Sequence, residues 1–298
     1  MPTRTLSVYG DSAMDVRNVY EVAVAAKRPN PFESYKAETR PSDGKVLSQY
    51  FAEDINWDGV KQFNINIVSA LGIKAGLARR SLDFDDAVVN FAYAGASSGP
   101  NGSATSETNL LPFGFLSQAD TASGFFSGDS QGRDAVINVG TNDIFDALDN
   151  LDSDTSFLNT RGLKDDKKWA SEVAKEVVRN IKEGYRIIDD FTEDTVIYGL
   201  IKPSEIPRAS DQIEKNYDNI IQGGVVLDQF LAKKVNRKLV KGFMEDSEVY
   251  VVDSFSAWES LDNPSFLPDG IHPDTETYSM LADIAADQAI EKLGIGFE

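Results

Sequence analysis

The chain contains no cysteine. Disulfides, thiolate catalysis and cysteine-ligated metals are therefore excluded, and the compartment stays open, because a cysteine-free chain suits any redox environment. Histidine is nearly absent too: His272 is the single one in 298 residues. Carboxylates with at most one imidazole serve zinc poorly, so no metal is expected. Basic residues are in deficit, 29 Lys and Arg against 48 Asp and Glu, a net charge of −19. Such a surface repels polyanions, which argues against nucleic acid as a partner. No apolar run approaches the length of about 18 residues that a membrane span needs. Met1 to Val8 hold no apolar stretch of signal-peptide length. No targeting signal is visible, and the oligomeric state is unreadable.

Apolar material is not lacking. Hydrophobic residues make up 41%, with 17 Phe and 10 Tyr, enough for a sizeable core. Five short apolar runs read as strands: Leu6 to Tyr9, Asp86 to Ala94, Asp134 to Val139, Thr195 to Ile201 and Glu248 to Val252. Brief, nearly continuous runs of this kind suit strands covered on both faces. Helical patterns lie between them. In 166–190, Trp169, Val173, Val177, Ile181, Tyr185 and Ile188 fall three or four apart. Residues 211–244 repeat the pattern, with a kink or break expected at Gly223-Gly224. The segment 275–293 predicts a last helix stopped by Gly294. Alternating strands and helices predict an α/β fold, a mostly parallel five-stranded sheet between helical layers. With no repeat and no linker composition, residues 1–298 read as one domain.

Open α/β sheets carry their sites at the carboxyl ends of strands. The first strand ends in Gly10-Asp11-Ser12, the second in Gly95, the third in Gly140-Thr141-Asn142-Asp143. A serine hydroxyl is a weak nucleophile and needs a base within hydrogen-bond reach. The only imidazole available is His272, and Asp269 three residues earlier could orient it, as in a Ser-His-Asp triad. Acyl transfer also needs donors fixed in advance around the developing oxyanion. The Ser12 N–H, the Gly95 N–H and the Asn142 amide would supply three. A second Gly-Asp-Ser, at 128–130, precedes a strand instead of following one, so Ser130 reads as a turn residue and Ser12 as the nucleophile. Taken one at a time, each of these residues also reads as a turn or helix cap; their order and placement together favour the catalytic reading.

Gly10-Asp11-Ser12, the Gly95 segment, Gly140-Thr141-Asn142-Asp143 and Asp269-Gly270-Ile271-His272 resemble, in that order, the four blocks of the SGNH or GDSL hydrolases. Asn90 to Ala96 and Ser42 to Val46 resemble segments of the large lipase/acylhydrolase branch. Ala13 stands where that family has leucine. The resemblance implies a flavodoxin-like three-layer α/β/α sandwich and serine ester hydrolysis without a cofactor. In that reading Ser12, His272 and Asp269 form the triad, and Gly95 and Asn142 complete the oxyanion hole. Its substrates would be small-molecule or lipid esters. Acyl transfer to an alcohol, deacetylation of a carbohydrate and non-catalytic binding of an acylated ligand stand as alternatives. Residues 97–130 would cover the site, with Leu110, Leu111, Phe113, Phe115, Leu116, Phe125 and Phe126 as an acyl-binding wall or flap, or would simply pack onto the domain. The acidic run Asp146, Asp149, Asp152 and Asp154 lacks the glycine and distal glutamate of a calcium loop and reads as a solvated face.

Overall fold

Neighbouring residues of the first strand, β1 (Thr5–Gly10), serve two separate cores. Leu6 and Val8 enter one apolar cluster and Tyr9 the other, as the two-residue period of a strand requires. All three are fully buried, so both faces of the strand are covered. This is a computed structural model that describes residues 4–15, 18, 23, 33, 42–55, 61–64, 87–102, 113–126, 132–152, 163–217 and 220–295.

β1 pairs in parallel with β3 (Ala87–Asn90) on one side and β4 (Arg133–Asn138) on the other. Beyond them lie β2 (Lys61–Asn64), β5 (Thr195–Tyr198) and β6 (Val249–Val252), every pair parallel. The sheet order is β2-β3-β1-β4-β5-β6. Without β2 this is the flavodoxin-like order. The five strands expected from sequence are all present, and the sheet has a sixth. β2 has the sequence Lys-Gln-Phe-Asn, which offers neither an apolar run nor a clean alternation. It occupies the edge beside β3.

Helices α1 (Leu47–Asp54), α8 (Ser254–Ser260) and α9 (Thr275–Leu293) cover one face. The other is covered by α2 (Phe115–Phe126), α3 (Thr141–Asp152), α4 (Leu163–Asp189) and the run from α5 (Pro207–Asn216) through α6 (Ile220–Val225) and a π-helical turn at 226–232 to α7 (Lys233–Phe243). On α4, Ala170, Ala174, Val177, Ile181, Tyr185 and Ile188 are buried at helical spacing. α9 begins with Asp274 accepting from the Thr277 N–H at 2.8 Å and stops at Gly294, whose φ is 70°.

The helix break near 223 is corrected. The break falls after α5, and Gly223 lies inside α6. A Cβ on Gly223 would stand 2.5 Å from Ile213 and 2.9 Å from Tyr217. The residue is small so that α6 can approach α5 closely, which composition alone does not distinguish from a helix stop.

Candidate active site

Ser12 stands just past the carboxyl end of β1, where the sheet order reverses between β1 and β4. The chain can turn there because of Gly10. Its φ is 146°, and a Cβ would lie 2.1 Å from the Asn138 carbonyl oxygen. The buried amide of Gln118 closes the strand end by accepting from the Gly10 N–H at 2.8 Å and donating to its carbonyl at 2.9 Å. Asp11 Oδ1 accepts from the Ala13 N–H at 3.1 Å, and the Asp11 carbonyl accepts from Met14 and Asp15. Asn90 Nδ2 then fastens the Met14 carbonyl at 2.7 Å. Ser12 is left half-buried, its N–H without a hydrogen-bond acceptor among the described residues.

His272 lies in the loop before α9. Asp269 shapes that loop through Oδ1, which accepts from the backbone N–H of Ile271 at 2.8 Å and of His272 at 3.1 Å. Its other oxygen, Oδ2, is 2.5 Å from His272 Nδ1. His272 Nε2 is 2.7 Å from Ser12 Oγ. A carboxylate can only accept, so Nδ1 carries the proton in the neutral ring and Nε2 is free to accept from the serine hydroxyl. The loop is held from outside by the Leu267 N–H on the His272 carbonyl at 2.8 Å and the Arg208 N–H on the Gly270 carbonyl at 2.9 Å.

Gly95 follows β3 and Asn142 opens α3 after β4, the strands on either side of β1. Gly95 has φ 85°, in the left-handed region, and its N–H has no acceptor among the described residues. The residues on either side of it are held: the Ala94 N–H donates to Asp15 Oδ2 at 2.8 Å, and the Ala96 carbonyl accepts from Asn142 Nδ2 at 3.0 Å. That bond uses one of the two amide hydrogens of Asn142.

A cavity of about 50 Å³ opens beside Ser12 and His272. Asn142 and Asp11 contribute to it, but most of its wall is apolar: Leu47, Phe145, Ile201, Ile206, Ile271 and Leu281. Burial pushes the Asp11 carboxyl up to about 7, against the pull of the Ala13 N–H and of His272 and with some help from Asp143. Near neutrality this carboxyl is therefore partly protonated, and the cavity carries less negative charge than an ordinary aspartate would give it.

The sequence matches the GDSL-like lipase/acylhydrolase family over residues 7–285. The chain belongs to this family. No curated protein matches it by sequence. Among solved structures, a lipase from a goat rumen metagenome aligns with a TM-score of 0.50 at 12% identity over 99% of both chains. That likeness concerns the fold. A mutant acetyl-xylooligosaccharide esterase from Geobacillus Stearmophilus aligns at a TM-score of 0.44 and 14% identity, over 100% of this chain and 97% of the other.

Ser12, His272 and Asp269 thus meet in this GDSL chain as a bonded series, with Asn142 at the same cavity. Phe113 and Phe115 do not line it. Phe115 is fully buried in α2, against Tyr9 and over Gly184, and belongs to the core; this corrects its assignment to an acyl wall. Phe113 packs its ring on Tyr93, centroids 5.9 Å apart. Residues 115–126 are a core helix, which removes them from any flap. Leu110, Leu111, Ser130 and Asp154 lie outside the described residues. Asp149 accepts from Gln212.

Sequence reasoning missed the apolar wall and the second tier of polar residues, Gln118, Asn90, Asp15 and Ser98. Ile201, Ile206 and Ile271 of the wall come from loops after β5 and before α9, and Leu47, Phe145 and Leu281 from α1, α3 and α9, where apolar residues read as core. The polar tier is legible only in part: Gln118 is a glutamine on a mostly apolar helix face, and Asn90 ends an apolar strand.

Proposed function

We propose that this protein is a serine ester hydrolase that works through an acyl-enzyme on small carboxylic esters with short, apolar acyl groups. The observation that carries the reading is the unbroken series Asp269 Oδ2, His272 Nδ1, His272 Nε2, Ser12 Oγ, with contacts of 2.5 and 2.7 Å. Family membership supports the reaction class.

In this reading His272 Nε2 takes the Ser12 proton as Oγ attacks the ester carbonyl. The oxyanion is received by the N–H groups of Ser12 and Gly95 and by the remaining amide hydrogen of Asn142. Asp269 holds the ring and offsets the imidazolium charge. His272 returns its proton to the departing alcohol. Water, deprotonated by the same nitrogen, then releases the carboxylic acid and restores Ser12.

The cavity supports a short acyl group. A water-sized group takes about 10–15 Å³ of such space, so about 50 Å³ holds roughly four. Acetyl to butyryl chains fit that count, and its apolar wall favours alkyl over charged acyl groups.

The test is a p-nitrophenyl ester series from acetate to palmitate, together with acetylated sugars, with and without an added alcohol. Hydrolysis peaking at short acyl length, abolished in Ser12→Ala, is expected. Product diverted to the alcohol would make the enzyme a transferase. No turnover of any ester, with Ser12 unlabelled by a serine-directed phosphonate, overturns the reading in favour of a binding module.

A further inference from the structure

The loop that carries Gly95 is tied to the start of α3 at two successive residues. Asn142 donates to the Ala96 carbonyl at 3.0 Å. Asp143 then accepts from the Ser98 N–H at 2.8 Å through Oδ2 and from the Ser98 hydroxyl at 2.7 Å through Oδ1. Ser98 is fully buried, and its hydroxyl accepts from Asn180 Nδ2 on α4 at 3.1 Å. Each group in this series has a directed role. Asp143 supplies both acceptors, and Ser98 turns its one hydroxyl hydrogen toward the carboxylate while Asn180 fills its lone pair.

No basic side chain pairs with Asp143 among the described residues. A carboxylate desolvated without a cation is costly to keep. Burial pushes it up to about 6, and the two bonds from Ser98 pull the other way. Asp143 makes no hydrogen bond to Ser12 or His272, so it is no part of the relay. Its position is what stands out. It follows one oxyanion donor, Asn142, directly in the chain, and its partner Ser98 lies three residues beyond the other, Gly95.

We propose that Asp143 is a positioning residue that, by clamping Ser98, fixes the Gly95 N–H relative to the Asn142 amide and so holds the oxyanion hole in shape. The inference rests on the ester-hydrolase reading above. From α3, Asn142 alone ties the loop by one bond at Ala96; α2 holds it further on, by the Phe115 N–H on the Ser97 carbonyl at 2.9 Å and the Leu116 N–H on the Gly99 carbonyl at 3.2 Å. The two-oxygen grip of Asp143 on Ser98 adds a second tie from α3, the element that carries Asn142, and so sets the loop against that donor. Oxyanion donors act by being aimed before the charge forms, so a loop displaced by about 1 Å loses on the order of 10²-fold in rate while substrate binding is little changed.

The experiment is steady-state hydrolysis of p-nitrophenyl butyrate by the full chain. Asp143→Ala is expected to lower kcat about 10²-fold with KM nearly unchanged. Asp143→Asn keeps an oxygen for the Ser98 N–H and turns an amide hydrogen toward the Ser98 hydroxyl, so it should restore most of kcat. Combined with Asn142→Ala, the Asp143→Ala loss should be far less than additive, because both act on one set of donors. Ser98→Ala keeps the backbone bond and should give an intermediate loss with the same non-additivity; it carries the test if Asp143→Ala does not fold. Wild-type kcat in Asp143→Ala, a loss confined to KM, or full additivity with Asn142→Ala would overturn the proposal while leaving hydrolysis intact. A wild-type enzyme inactive on every ester and unlabelled at Ser12 would overturn the hydrolase reading itself.

Discussion

His272 Nε2 lies 2.7 Å from Ser12 Oγ although 260 positions separate the two residues in the chain. The contact is made because β1 and the loop before α9 both end at the same edge of the sheet. The chain has no other histidine, so no second imidazole can take over. His272→Ala should therefore lower kcat by about 10⁴-fold or more on a short p-nitrophenyl ester, with the thermal midpoint little changed. A rate within tenfold of wild type would mean that another base serves Ser12. Asp269→Asn should be nearly as severe: its one oxygen can keep the two backbone bonds that shape the loop, but the amide then turns hydrogens toward Nδ1 and favours the wrong tautomer of the ring.

The apolar wall sets the acyl length. Ile206 is almost fully buried and faces the cavity from the turn before α5. Ile206→Ala should cost about 2–5 kcal/mol of stability and move the preferred acyl chain longer by one or two carbons. Phe113→Ala is the contrasting variant: Phe113 packs on Tyr93 away from the cavity and should leave the chain-length profile as it is. A profile that shifts with Phe113 and not with Ile206 would relocate the acyl site to the segment before α2.

The strand end that presents Ser12 depends on Gln118, whose amide pairs with both polar groups of Gly10. Gln118→Leu keeps the volume and leaves the buried Gly10 N–H unpaired, at about 1–3 kcal/mol, while the Gly10 carbonyl keeps its bond from the Tyr93 N–H at 2.9 Å. Chemical denaturation should register that loss. Phosphonate labelling of Ser12 should slow along with it, since the same groups set the turn. Unchanged stability would mean that water replaces the amide there.

Much of this was readable in advance, for a physical reason in each case. Strands buried on both faces must be short and apolar, so β1, β3, β4, β5 and β6 stand out, and the glycines after them mark the site end of the sheet. Chemistry-bearing residues are scarce: one histidine and two Gly-Asp-Ser copies left few assignments to weigh. β2 was invisible because an edge strand need not be apolar on both faces, and Lys61-Gln62-Phe63-Asn64 has no pattern. Phe115 misled because an aromatic beside a loop reads equally as lid or core, and only its contact with Tyr9 decides. Ser98 and Asp143 gave no signal as a pair, since 45 positions separate them and each suits a turn or cap.

Stability should fall as pH rises from about 4 to about 7, and Asp54 offers a way to test why. Asp54 ends α1 beside α9. Burial first, and the neighbouring Asp283 carboxylate next, push it from 3.8 up to about 7. Between those values the folded chain keeps a proton that the unfolded chain has lost. The native state then binds more protons than the unfolded one, so each step up in pH favours unfolding, until above about 7 both forms are ionised and the loss is complete. Burial raises Asp11 and Asp134 to about 7 as well, so their contributions carry the same sign. Asp54→Asn cannot ionise. It should match the parent near pH 4, exceed it near pH 8, and flatten part of the slope between them in urea denaturation. A constant difference between the two proteins across that range would show that Asp54 ionises in the fold as readily as it does in the unfolded chain.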